Sequence, residues 1–150
     1  MSGTAGRTPR GTDAQGRRRQ GCRQPPRAAN GFPTVGLLLA DLHTGSSRSL
    51  WTAVADEARR RGMNLVCFAG GRLSDADHAA SSRVYDLAGP ECLDGIVSWV
   101  SSLGGGAEPA EVERFHERFR GVPLVCLSQQ VLGAPTVLLD AYQGMREVVA

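Results

Sequence analysis

Five apolar runs, each too short for a buried helix, set the strongest limit on how this chain can fold. They are TVGLLLA at 34–40, MNLVCFA at 63–69, DGIVSW at 94–99, VPLVCL at 122–127 and TVLL at 136–139. Unbroken apolar runs are typical of strands buried on both faces of a parallel sheet. Helix-like or turn-rich segments separate them, so right-handed βαβ crossovers are expected. The sequence therefore predicts an α/β fold, a Rossmann-like parallel sheet with flanking helices.

The segment after the first run has the spacing of an amphipathic helix. Leu50, Val54 and Ala58 recur on one helical face. The Gly-Ser-Ser segment at 45–47 supplies a turn and an N-cap candidate, because a serine hydroxyl can accept from free amides of the first turn. Gly62 suits the position just after the last turn.

A second helix is predicted over 109–120, with proline at its first position. Val112, Phe115 and Phe119 share its apolar face. His116 lies between two glutamates and is expected to be solvated. Further helices are predicted at 82–88 and at 141–150, where the chain ends within the helical pattern.

Residues 1–32 differ in composition from the rest. Seven of the 17 arginines and one of the 15 acids lie in residues 1–30, where aliphatic residues are almost absent. Such a segment cannot bury enough apolar surface to offset the entropy of ordering it, so a disordered arginine-rich tail is predicted over 1–32. The domain at 33–150 keeps more acids than arginines, which argues against specific nucleic-acid binding.

The cysteines point to a reducing compartment. Cys22, Cys67, Cys92 and Cys126 form no C-x-x-C pair, and two of them lie inside apolar runs. Reduced cysteines are therefore expected, with no metal site and a cytoplasmic location. The longest apolar run near the N-terminus, 35–40, is too short for a signal peptide or a membrane span.

Motifs of catalysis and of cofactor binding are missing from the sequence. The first strand leads into A-D-L-H-T-G, which is no dinucleotide fingerprint, and the chain has no lysine for a P-loop. No serine lies in a G-x-S-x-G elbow, and the three histidines are far apart along the chain. The expectation is a protein that is not itself an enzyme and uses no cofactor.

Polar and aromatic side chains follow the predicted strands, where parallel sheets bind ligands. Asp41 either caps the next turn or accepts a hydrogen bond from a ligand. His43 lies at the same rim, and its simpler interpretation is an exposed polar residue. Trp99 either stacks on a sugar ring or base, or packs in the core. Ser128 and Asp140 follow the fourth and fifth strands.

Several segments resemble those of LacI/GalR effector domains. T-V-G-L-L-L-A-D-L, then a helix ending A-R-R-R-G-M-N-L-V, is similar to the family's opening. Residues 93–97 match its V-D-G-I segment, 121–125 its G-I-P-V-V, and 136–146 its V-x-x-D-N-x-x-G-x-x pattern. The matches occur in the family's order and cover about residues 34–150.

The resemblance implies the N-terminal lobe of a periplasmic-binding-protein-like type I fold. Ligand would then lie between this lobe and a second lobe that the 150 residues lack, and a homodimer is one arrangement the family allows. Arg146 joins the predicted ligand contacts, because sugar-binding relatives place an arginine two residues after the matching glycine.

The sequence also departs from the family pattern, and these departures leave open which activity a bound ligand would control. Residues 1–32 cannot form a helix-turn-helix, Ala141 replaces the family's asparagine, and residues 43–47 replace S-N-P-F-F. One hypothesis is a sensor of a sugar- or nucleoside-like ligand fused to a signalling kinase or cyclase, with its output domain missing here. The alternatives are a fragment of a transcriptional repressor and, less favoured, an α/β enzyme.

Overall fold

The computed structural model describes residues 31–75 and 82–149. Its sheet has five parallel strands in the order β2-β1-β3-β4-β5, which confirms the predicted α/β fold. The strands are β1 (Thr34–Leu39), β2 (Asn64–Ala69), β3 (Gly95–Trp99), β4 (Leu124–Leu127) and β5 (Thr136–Val137). The α-helices are α1 (Gly45–Arg60), α2 (Val100–Leu103), α3 (Pro109–Glu117) and α4 (Ala141–Val149), and a 3-10 helix spans Ser82–Leu87.

The first helix begins earlier than predicted. Thr44, one residue before the predicted segment 45–47, is the N-cap residue of α1, although its side chain makes no capping hydrogen bond. Ser47 lies buried in the first turn, where its hydroxyl oxygen accepts from Thr44 Oγ1 at 2.7 Å. The helix ends at Arg60, and Gly62 follows the C-cap residue Arg61, as predicted, with a φ of +65° that suits a residue without Cβ.

A backbone and side-chain clamp joins the first strand to the third. Asp94 Oδ2 accepts from the Thr34 amide at 2.7 Å, and the Asp94 amide donates to the Thr34 carbonyl at 2.8 Å. Residues 34 and 94 are 60 apart in sequence, so this clamp sets the β1–β3 register from its first residues.

The main hydrophobic core lies on the sheet face that α2, α3 and the 3-10 helix cover. Leu38 from β1 and Cys126 from β4 are wholly buried in it. The Tyr85 ring meets the Phe115 ring edge-on, with 5.2 Å between centroids. Edge-to-face pairs of this kind add a little to the gain from burial. The β1 backbone approaches this core closely, because a Cβ on Gly36 would lie 2.6 Å from Leu93 Cδ1.

His116 belongs to this core, so its predicted solvation is wrong. Its side chain is 4% exposed, and Nε2 lies 2.8 Å from Ser98 Oγ on β3. The reason is helical geometry: positions 112, 115, 116 and 119 follow i, i+3, i+4 and i+7 and share one face. Glu113 and Glu117, which suggested solvent, lie on the other side and are exposed.

The opposite face of the sheet is only half covered. Helix α1 packs over β2 and β1, where Leu37 and Leu39 are wholly buried. Beyond β1 no described helix covers this face. The strand register places five apolar side chains there, which we call the open sheet face: Val97, Trp99, Val125, Leu127 and Val137. Val125 is 37% and Val137 60% exposed.

Helix α4 has no buried residue among those described. Strand β5 stops at Val137, two residues earlier than predicted, because its partner strand β4 ends at Leu127, opposite Val137. Leu138 and Leu139, which lead into α4, are therefore 58% and 85% exposed. The apolar residues of α4 are exposed too: Tyr142 76%, Met145 63%, Val148 82% and Val149 76%.

The three cysteines within the described ranges are free thiols. Cys126 is buried as expected, but Cys67 is only half-buried, because β2 is an edge strand. Cys92 is exposed. Cys22 and most of the predicted tail lie outside the described residues. Phe32 is described, and its carbonyl accepts from Asn64 Nδ2 at 3.1 Å.

Candidate functional site

The strand order creates a crevice at the carboxyl edge of the sheet. From β1 the chain moves outward to β2, then crosses back to β3 on the other side of β1. Neighbouring connections thus leave in opposite directions at the carboxyl ends of β1 and β3, and open α/β sheets bind ligands at such a switch point. Asp41 follows β1 and Trp99 ends β3, so both flank this crevice.

Asp41 organises the loop that leads from β1 into α1. Its Oδ1 accepts from the amides of His43 at 2.9 Å and Thr44 at 2.8 Å, while Oδ2 lies 3.4 Å from the hydroxyls of Thr44 and Ser47. The Thr44 amide and these further donors lower the pKa of the Asp41 carboxyl, so it stays ionised at neutral pH. The turn-capping interpretation therefore describes what Asp41 does here. Its role as a ligand acceptor stays a prediction.

Two residues that sequence reasoning missed fix the carboxyl ends of β1 and β2. Tyr85 is wholly buried, and its hydroxyl accepts from the Gly70 amide at 2.9 Å. The same hydroxyl lies 3.0 Å from the Leu39 carbonyl and 2.9 Å from that of Gly71, and burial raises the pKa of Tyr85 to about 12. Ser102 Oγ accepts from the Ala40 amide at 3.0 Å. Tyr85 and Ser102 therefore fix the backbone at the carboxyl ends of β1 and β2, beside the crevice.

The other strand ends carry Trp99, Ser128 and Asp140. Trp99 is half-buried and lies outside the main core, on the open sheet face. Ser128 is exposed, with a left-handed φ of 68°, and its amide donates to the Val137 carbonyl at 2.9 Å. Asp140 Oδ1 accepts from the Gln143 amide at 2.9 Å and so caps α4. The fold thus brings all three to the edge that holds Asp41.

His43 and Arg146 differ in how the fold places them. His43 is exposed beside Asp41, as its simpler interpretation predicted, and it lies at the same rim. Arg146 lies on α4, where its guanidinium carbon is 5.9 Å from the centre of the Tyr142 ring. No described contact brings Arg146 to the other five predicted residues.

The edge has the size and polarity of a site for an extended polar molecule. Four adjacent strands, β1, β3, β4 and β5, contribute to it, and strand spacings of about 4.8 Å make it about 14 Å wide. The carboxylates of Asp41 and Asp140 can accept from hydroxyls, and the Trp99 ring offers an apolar plane. Within residues 31–75 and 82–149, no group of three His, Cys, Asp or Glu side chains is arranged for a metal ion.

The same ranges contain no helix long and apolar enough to cross a membrane. Hollows also lie away from the carboxyl edge. One, of about 280 Å³, lies between α3 and the loop before β5, and another, of about 480 Å³, lies beside α1. Neither includes any of the six predicted ligand contacts.

Comparison with known proteins shows a likeness of fold. No protein-family model and no curated protein sequence matches the chain. Among solved structures, the trehalose repressor from Escherichia coli aligns over 78% of this chain with a TM-score of 0.53 and 14% identity. The Cra transcriptional dual regulator from Pseudomonas putida, in complex with fructose 1-phosphate, aligns over 76% with a TM-score of 0.53 and 20% identity.

The alignments cover 41% and 40% of those two structures, so the chain spans about two fifths of the length of each. They confirm the parallel-sheet fold that the sequence resemblance implied. At these identities they show the fold alone.

Proposed function

We propose that this chain is the N-terminal lobe of a LacI/GalR-type effector domain that senses a small polar ligand. One observation carries the proposal: four adjacent strands present Asp41, Trp99, Ser128 and Asp140 at one carboxyl edge, around a topological switch point. The fold shared with two transcriptional regulators supports it.

The ligand class we propose is a neutral polyhydroxylated molecule, such as a di- or oligosaccharide or a nucleoside. Two carboxylates, Asp41 and Asp140, lie at the edge, and they repel an anionic ligand while accepting hydrogen bonds from hydroxyls. An aromatic plane such as Trp99 suits the apolar face of a sugar ring or a base. The width of about 14 Å favours a ligand longer than one sugar ring.

The proposed mechanism is closure of two lobes on the ligand. A ligand that contacts both lobes binds the closed state more tightly and so shifts the population toward it. The output that follows is control of transcription or of a fused signalling domain. The two similar structures are a repressor and a transcriptional dual regulator, and this favours transcription. The three free thiols support a reducing, cytoplasmic location.

The proposal assigns no catalysis to this chain. Ser98 Oγ lies 2.8 Å from His116 Nε2, which is the serine–histidine pairing that a search for a nucleophile would consider first. Both side chains are buried, and His116 Nδ1 bonds the Val112 carbonyl at 2.7 Å rather than a carboxylate. A nucleophile must reach its substrate, and this serine is wholly buried.

Titration calorimetry and tryptophan fluorescence on the chain test the proposal. Trehalose, adenosine and fructose 1-phosphate are compared up to about 20 mM, because one lobe supplies only part of the contacts and should bind near the millimolar level, about −4 kcal/mol. A neutral ligand should quench Trp99, and Trp99→Phe should abolish the change. In a longer gene product that includes the second lobe, affinity should rise into the micromolar range.

Charge-removing variants locate the site. Asp41→Asn and Asp140→Asn should each weaken binding at least fivefold, since hydrogen bonds to charged groups contribute about 1.5–3 kcal/mol. Asp56→Asn is the matched control, because Asp56 is an exposed carboxylate on α1 that pairs with Arg59. Equal affinity in all three variants would place the site elsewhere. No saturable binding by any neutral ligand, in either protein length, would overturn the proposal.

A further inference from the structure

The loop that follows β2 crosses the carboxyl end of β1 and reaches the end of α2. The Gly71 amide donates to the Ala40 carbonyl at 2.9 Å. Two residues further on, the Leu73 amide donates to the Leu103 carbonyl at 2.9 Å, and the Leu73 side chain is buried in the main core. Because β1 lies on one side of the switch point and α2 follows β3 on the other, this loop joins the two sides of the crevice. Arg72 lies between its two anchored residues.

The side chain of Arg72 extends toward the end of α2. A Cβ built on Gly105, two residues after α2, would lie 4.0 Å from both Cδ and Nε of Arg72, so the arginine stem lies beside this glycine. Ser74 Oγ donates to the carbonyl of the same glycine at 2.9 Å. The loop is therefore fixed against the end of α2, while the Arg72 residue as a whole stays exposed.

The guanidinium of Arg72 pairs with no carboxylate in the part of the chain that the structure describes. Asp75 is the acid nearest to it along the chain, but Asp75 Oδ2 accepts from the Arg72 amide at 3.1 Å. Other arginines of the described ranges form ion pairs, namely Arg59, Arg60, Arg61, Arg118 and Arg120. An arginine that is held in place without a carboxylate partner can direct its N–H groups at a ligand.

Asp41 and Arg72 are neighbours at the carboxyl edge. Each directly follows one residue of the hydrogen-bonded pair Ala40 and Gly71. A carboxylate can only accept, whereas each hydroxyl of a polyol both donates and accepts. A polyol bound by Asp41 and Asp140 alone would leave lone pairs of its oxygens without donors, and in a crevice closed to water these need partners. Arg72 supplies such donors beside Asp41.

We propose that Arg72 is a specificity-determining contact of the ligand site, where its guanidinium donates to two neighbouring hydroxyl oxygens of the ligand. This inference rests on the proposed function, because it assigns a further residue to the same site. The planar guanidinium directs two parallel N–H groups at two oxygens, a geometry that a vicinal diol matches and a single hydroxyl does not. The ligand class is thereby narrowed to molecules with a vicinal diol, such as a hexose ring or the ribose of a nucleoside.

Substitutions at position 72 test the contact by titration calorimetry, with whichever of trehalose and adenosine binds the chain more tightly as the probe. Arg72→Met keeps the apolar stem, and it should raise the dissociation constant about fivefold or more. Arg72→Lys keeps the charge but loses the fork, so it should raise the constant about threefold or more. Arg114→Met is the matched control, because Arg114 is exposed on α3 and belongs to no ion pair among the described residues; it should bind like the parent chain.

Two further measurements show what a loss of affinity means. The thermal unfolding midpoint of Arg72→Met should equal that of the parent chain, because the side chain is exposed. Full affinity in Arg72→Lys would show that charge alone suffices and would overturn the contact with a diol. Tighter binding of fructose 1-phosphate than of the neutral probe, with the preference lost in Arg72→Met, would assign Arg72 to an anion and overturn it as well.

Chemical footprinting tests the same contact without a substitution. Phenylglyoxal modifies accessible guanidinium groups, and mass spectrometry of the peptides measures the rate at each arginine. The probe at about 20 mM, well above a millimolar dissociation constant, should slow the reaction of Arg72 and leave that of Arg114 unchanged. If Asp41→Asn weakens binding while Arg72 reacts equally fast with and without the probe, Arg72 is no contact and the proposed function stands. Absence of saturable binding by either probe would overturn both.

Discussion

Ser98 Oγ donates a hydrogen bond to His116 Nε2 at 2.8 Å, joining the middle strand of the sheet to α3 inside the core. The direction follows from the other ring nitrogen. His116 Nδ1 lies 2.7 Å from the Val112 carbonyl, which can only accept, so Nδ1 carries the proton of the neutral ring and Nε2 accepts from serine. Every polar atom of this buried pair thus has a partner, which a buried imidazole requires.

Acid should destabilise the fold through His116. Burial lowers its pKa below the ordinary 6.5, so between the two values the unfolded chain binds a proton that the folded chain does not. The free energy of unfolding should be fully retained above pH 6.5 and fall as the pH drops below it, by at most about 1.4 kcal/mol per pH unit from this group.

Urea unfolding between pH 5 and 8 measures this dependence of stability on pH. His116→Gln should flatten it, and His43→Gln, at an exposed site, should not; matching slopes in all three proteins would exclude His116 as the cause.

Tyr85→Phe should cost about 1–3 kcal/mol of stability, since it leaves the Gly70 amide and nearby carbonyls without the buried hydroxyl that they contact. The ring packing is kept, so the loss reports the hydroxyl. Tyr142→Phe, at a 76% exposed site, is the control and should change stability by less than about 0.5 kcal/mol. Equal denaturation midpoints for the two variants would show that Tyr85 does not hold the strand ends together.

Gly36→Ala should destabilise the protein by about 1–3 kcal/mol, because its Cβ would lie 2.6 Å from Leu93 Cδ1 and 3.2 Å from Phe68 Cε2 in a packed core. Gly144→Ala is the matched comparison. Its Cβ meets nothing within 4 Å, and alanine favours helix, so α4 should gain helix content. Thermal unfolding followed by circular dichroism distinguishes the two. A neutral Gly36→Ala would mean that the Leu93 side chain can move aside.

The described thiols should react in order of exposure. Single-cysteine variants treated with a thiol reagent should be labelled fastest at Cys92, more slowly at Cys67, and at Cys126 only on unfolding. Burial raises the pKa of both Cys67 and Cys126, which lowers their thiolate fractions further. Fast labelling of Cys126 under native conditions, at a rate that urea does not raise, would contradict its place in the core. The sequence further predicts that Cys22 reacts before the others.

The strands could be predicted because their signal is local. An unbroken apolar run such as 34–40 indicates both a strand and its burial, and β1 begins at Thr34, the predicted residue. His116 could have been placed as well, since it shares a helical face with Val112 and Phe115. The error was to weigh its glutamate neighbours along the chain above that periodicity.

Other features depend on contacts that no local pattern contains. Tyr85 bonds atoms 14 to 46 residues away, and nothing in S-R-V-Y-D-L marks it as the residue that fixes two strand ends. The half-burial of Cys67 follows from the position of β2 at the sheet edge, which only the strand order reveals. The site residues were found from their places after predicted strands, so five of six share an edge. The prediction of Arg146 depended on the family resemblance alone, and no described contact places Arg146 at this edge.

The distance along the chain between Thr34 and Asp94 also determines when β1 can pair with β3 during translation. Strand β1 is made first among the strands, yet Asp94, which bonds Thr34 and directly precedes β3, lies 60 residues further along the chain. At about 5–20 residues per second, a ribosome needs about 3–12 s to add those residues. Throughout that interval at least one edge of the apolar strand β1 is unpaired in a nascent chain, and such edges make incompletely folded chains prone to aggregate.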